Sequence, residues 1–91
     1  MNKRELGIAR NKNDREYSAC EYLSSLTDIV LSSIKLMKRE ASRLYSGPCG
    51  QYELGKSLHV IEGDMLSIKS QIEDKASELA DERVELWKEE E

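Results

Sequence analysis

The chain has no phenylalanine, one tryptophan, one proline and one histidine in 91 residues. With aromatics at 5% and charged residues at 35%, it has little with which to build a large core of its own. A single small domain that associates with itself or with another protein is therefore expected. Its longest aliphatic run is Ile29-Val30-Leu31, far short of a membrane span. No basic, apolar, small-residue segment opens the chain, so a cleaved leader is not expected and the protein is expected in the cytoplasm as synthesised. Net charge is −4, against the basic surface that a dedicated nucleic-acid binder needs.

Cys20 and Cys49 are too few for a disulfide framework. If both flanks of the chain's centre are helical, about 1.5 Å per residue separates these thiols by roughly 40 Å, beyond any bridge. One histidine and no C-x-x-C leave no zinc-ligand pattern. Leu54-Gly55-Lys56-Ser57 contains G-K-S, but no strand and no second glycine at phosphate-loop spacing precede it. No carboxylate pair sits in an apolar run that would split its pKa values, and His59 has no partners at triad spacing, so it reads as a surface or boundary histidine. Neither catalysis nor a cofactor is expected.

What is present is punctuation at the centre and periodicity on either side. Tyr45-Ser46-Gly47-Pro48-Cys49-Gly50 holds the only proline and two of the five glycines. Proline disfavours helix in the residue before it, and Gly47 turns freely, so a bend is expected over 46–50. Residues 1–12 carry Lys3, Arg4, Arg10 and Lys12 against Glu5 and read as a flexible basic arm. Asn13 and Glu16 have capping-box spacing, which predicts a first helix over about 14–46.

The apolar stripe of that helix is Leu23, Leu26, Val30, Ile34, Met37, Ala41 and Leu44. Tyr22, Ile29 and Leu36 widen it, so this face is expected to touch more than one helix. A second helix is predicted over about 52–88. There Leu58, Met65, Ile72, Leu79 and Leu86 recur every seven residues, with Leu54, Ile61 and Ile68 at intervening positions. Lys75 and Glu82 continue that second set, so the seam is expected to weaken towards the C-terminus. Gly55 and Gly63 reflect either close approach of another backbone or simple tolerance. Trp87, amid nine acids and three bases over 71–91, is either a packing cap or an exposed anchor.

The fold class expected is all-α: an antiparallel, coiled-coil-like two-helix hairpin over 13–91. It would complete a larger bundle with a partner or by dimerisation, with helices crossing near 20°. The apolar faces of both helices are the expected partner-binding surfaces.

A hairpin of this length, acidic and bent at an aromatic-x-Gly turn, resembles the WxG-type hairpins of type VII secretion, in particular the small companions of LXG-class toxins. Tyr45-Ser46-Gly47 stands where that family has Trp-x-Gly, followed here by Pro48. Trp87 to Glu91 resembles its Tyr-x-x-x-Asp/Glu export signal. The resemblance implies a targeting or chaperone-like partner of a toxin's helical N-terminal region, with Tyr45, Gly47 and Pro48 as turn motif. It also implies that Trp87 and Glu91 form an export or partner signal, and that export proceeds without a cleaved leader. The alternative is a small coiled-coil subunit, such as a type III secretion chaperone or a scaffold component. No nucleic acid and no membrane insertion are expected.

Overall fold

The computed structural model describes residues 1–44 and 48–89, and of residues 48–52 the backbone alone. It consists of two long helices, α1 (Lys3–Leu44) and α2 (Pro48–Lys88), paired antiparallel as a hairpin. Tyr45 and Gly47 of the expected turn motif, and Glu91 of the expected C-terminal signal, lie outside the described residues.

The first helix begins far earlier than the sequence reading placed it, which corrects the expectation of a flexible arm over 1–12. Asn2, not Asn13, is the N-cap. The Glu5 amide donates to Asn2 Oδ1 at 2.8 Å, and Asn2 Nδ2 donates to Glu5 Oε1 at 3.2 Å. This variant of the capping box satisfies an amide that the first turn otherwise leaves open. Asn2-Lys3-Arg4-Glu5 has the same N-x-x-E spacing as Asn13-Asp14-Arg15-Glu16, so spacing alone could not choose between them. What decides is Leu6, only 2% exposed, whose burial stabilises helix in the first turns. The second helix starts at Pro48 instead of about 52. Proline suits the first helical position, where its missing N–H would have had no intrahelical partner.

The helix pair divides into two compact units, Met1–Ser24 with Gln71–Glu91, and Ser25–Ser70. In the first, Leu6, Asn13 and Cys20 of α1 and Leu79 and Leu86 of α2 are buried. In the second, Thr27, Leu31, Ile34 and Ala41 are buried with Leu58. The buried positions of α1 thus fall every seven residues from Leu6 to Ala41, joined by Leu31. A seven-residue recurrence, two helical turns, is that of a coiled-coil seam.

This seam is not the expected apolar stripe. Ile34 and Ala41 belong to both, but Leu23, Leu26, Val30, Met37 and Leu44 are exposed. The Leu6-to-Ala41 column carries no charged residue, and its inward companion is Arg10, Tyr17, Ser24, Leu31 and Lys38, whose two cations reach across to α2. On α2 the expected column Leu58, Met65, Ile72, Leu79 and Leu86 faces inward, with Met65 and Ile72 half-buried. Its companion column is corrected. Glu62, Lys69, Ala76 and Arg83 flank the seam half-buried, while Ile61, Ile68, Lys75 and Glu82 are exposed.

Candidate interaction surface

The first unit is held by polar contacts that close its seam. Asn13, 1% exposed, donates from Nδ2 to the Leu79 carbonyl at 2.9 Å and to Glu82 Oε1 at 3.3 Å. Its Oδ1 is buried without a hydrogen-bond partner among the described residues. A buried amide at one seam position disfavours slipped registers, since a slip would strand its donors as well. Arg83 reaches Asp14 at 2.7 Å and lies over the Tyr17 ring, 5.5 Å from its centroid.

Arg10 closes the C-terminal end of α2. Its guanidinium donates to the Leu86 carbonyl at 2.9 and 3.2 Å and to the Glu89 carbonyl at 3.1 Å. It sits 4.2 Å from the Trp87 ring centroid. These are carbonyls of the last turn, and a cation there complements the helix dipole. Trp87 therefore has a partner within its own unit while more than half of its surface stays exposed. No local pattern marks Arg10 for this role, because the cap lies 76 residues away along the chain.

In the second unit two ion pairs set the register: Lys69 to Asp28 at 2.7 Å and Lys38 to Glu62 at 2.9 Å. The Lys38 ammonium, hydrogen-bonded to Glu62, holds that carboxyl below its ordinary range against the opposing effect of burial. His59, as expected, is exposed, with Nδ1 3.9 Å from Glu62. Cys20 is a buried free thiol of the first unit. Among the described residues no cluster of His, Cys, Asp or Glu could hold a metal ion. No described helix is long and apolar enough to cross a membrane.

The same register arranges the exposed apolar residues of the second unit. With residue 28 beside 69 and 38 beside 62, Val30 falls level with Ile68 and Met37 within a turn of Ile61, while Leu44 and Leu54 line one cleft. At about 100° per residue, each lies on the same rotational side of its own helix's seam. In an antiparallel pair, displacement in the same sense on both helices brings side chains to one side of the pair. Three rungs of apolar residues, seven residues apart on each helix, thus form one face. The end rung opens into a cleft of about 490 Å³ lined by Met37, Ala41, Leu44, Leu54 and Leu58 with Glu40 and Arg43. Leu54 is half-buried, and the other five rung residues are 39% to 71% exposed. Ile29 and Leu36 extend the face outward on α1 and are exposed as well.

Of the residues expected to bind a partner, Ile34, Leu58, Leu79 and Leu86 are instead core, with Met65 and Ile72 beside them. Leu54 is half-buried and the remainder are exposed. Comparisons with family models, with curated proteins and with solved structures return no match.

Proposed function

We propose that this chain is a non-enzymatic helical interaction protein, whose second unit completes a bundle with helices of a partner. The observation that supports this is the three-rung apolar face. A monomer exposes scattered apolar side chains routinely, but a contiguous ladder in coiled-coil register is the form of a surface awaiting a helix. Three rungs on two helices match the groove that a third helix fills in a bundle. Ile29 and Leu36, further round α1, suit a fourth.

Within that class, the resemblance to WxG-type hairpins suggests a targeting or chaperone-like role towards the helical N-terminal region of a type VII secreted toxin. The hairpin form supports that reading. A coiled-coil scaffold subunit is the second reading, and the stacking of Trp87 on Arg10 favours it, since it gives the tryptophan a structural role.

The test compares the tagged native chain with a Met37→Asp, Ile61→Asp variant in affinity capture from the source cell, followed by crosslinking to locate contacts. A helical protein retained by the native chain, lost by the variant and crosslinked to the rungs is expected. Equal retention by both forms would refute the assignment of this face. Recovery of a toxin would select the secretion reading, and recovery of structural coiled-coil proteins the scaffold reading.

A further inference from the structure

We infer that Pro48 holds this chain as a hairpin by excluding a competing occupant of its seam: a second copy, joined to it as an antiparallel pair of unbroken helices. The inference concerns the seam alone and is independent of the docking face proposed above.

The observation that carries it is one column of residues that keeps its phase through the bend. On α1, Leu6, Asn13, Cys20, Thr27, Ile34 and Ala41 are buried at seven-residue steps. The next two steps fall on Pro48 and Gly55, and the same spacing then gives Glu62, Lys69, Ala76 and Arg83. From Gly55 onward these residues of α2 are half-buried. A single unbroken helix would carry the whole column on one stripe, as a coiled-coil seam requires. The companion columns, Arg10 to Lys38 on α1 and Leu58 to Leu86 on α2, lie about 40° to either side of it, so both would still face inward. Only residues 45–47 separate the two helices.

The cross-helix contacts share this symmetry. Arg10 with the Leu86 carbonyl, Asp14 with Arg83, Asp28 with Lys69 and Lys38 with Glu62 each join residues about equally far on either side of residues 48–50. In an antiparallel pair of unbroken helices every one of them would form twice, between chains, with the same partners. The seam therefore cannot choose between folding back and pairing with a copy. The residues at the bend must.

Pro48 makes that choice. As the first residue of α2 it is well placed, since the N–H it lacks would have no intrahelical partner there. Inside an unbroken helix it would forfeit the bond to the Leu44 carbonyl and its ring would clash with that oxygen. Gly47 and Gly50 would weaken the same turn further. A two-chain assembly would carry this cost twice.

The test is sedimentation equilibrium with small-angle scattering on the full chain and on Pro48→Ala. The variant is expected to dimerise at least about a hundredfold more tightly, keeping its helix content and reaching close to twice the native length. Adding Met37→Asp and Ile61→Asp should leave this dimer intact, because both side chains are exposed, outside the seam. A dimer dissolved by them would be joined through the exposed face and would overturn the inference. Inserting Gly-Gly-Ser after Ser46 in the Pro48→Ala chain should restore the monomer, since it interrupts the helix and gives the bend slack. A Pro48→Ala chain that keeps the native association state, loses its helix content, or stays dimeric after the insertion would refute the role given to Pro48. So would a native chain already paired at the doubled length.

Discussion

Replacing Asn13 by leucine should make the protein more stable and less specific in register. Asn13 is buried at a seam position, donating to the Leu79 carbonyl and to Glu82, with Oδ1 unpartnered. Losing the two donations costs about 1–2 kcal/mol net, because a carbonyl within a helix keeps its own ladder partner and exposed Glu82 can return to water. Removing the buried orphan acceptor returns about 1–3 kcal/mol, and burying a leucine side chain adds about 2 kcal/mol. The balance is about 1–4 kcal/mol of stabilisation, each kcal/mol raising Tm by roughly 4–8 °C in a domain of this size. Thermal and urea unfolding measure the first effect. The second appears as extra amide resonances, or weaker hydrogen-exchange protection, in α1 residues near position 13. A destabilised Asn13→Leu protein would refute the reasoning, because the amide's donations would then outweigh both the orphan and the apolar gain.

Other expectations follow from the same contacts. A Cβ built on Gly55 or Gly63 meets nothing within 4 Å, so Gly55→Ala and Gly63→Ala should each stabilise by about 0.5–1 kcal/mol in chemical denaturation. Loss of stability at either site would restore the close-approach explanation for these glycines. Leu79→Ala, at a position 2% exposed, should cost about 2–4 kcal/mol and lower the unfolding midpoint more than any rung substitution. Arg10→Ala should free the end of α2, with faster exchange of the amides near Lys88 and a shift in Trp87 emission, while the mid-helix amides stay protected. The folded-state pKa of Glu62 lies below its ordinary value of 4.5, so its pairing with Lys38 stabilises the fold above that value and is lost as pH falls through the lowered one. Glu62→Gln should therefore flatten the acid limb of the stability profile; an unchanged limb would show that the pair contributes nothing.

The helical character of both segments was legible in the sequence. From Glu16 to Leu44 there is neither glycine nor proline, and α2 carries Leu and Met or Ile every seven residues from 58 to 86. Such periodicity permits little else. That α1 has more apolar columns than α2 covers was legible too: Leu23, Ile29, Val30, Leu36 and Met37 stay exposed. Where the first helix begins was not, because Asn2 and Asn13 head equivalent capping sequences and differ only in what buries around them. Nor was the face of α1 that packs inward. Hydrophobicity ranks the Leu23-to-Leu44 column first, yet the Leu6-to-Ala41 column packs inward, beside Arg10 and Lys38, whose contacts with the Leu86 carbonyl and Glu62 cross to α2. Arg10 at the end of α2, Asn13 on the Leu79 carbonyl and the shared face of Val30, Met37 and Leu44 with Ile68, Ile61 and Leu54 all depend on register between segments distant in sequence. That register is fixed by contacts across the pair, which one helix read alone does not contain. The sequence by itself settled that two amphipathic helices form; tertiary packing decided which columns the helices bury against each other and which stay exposed.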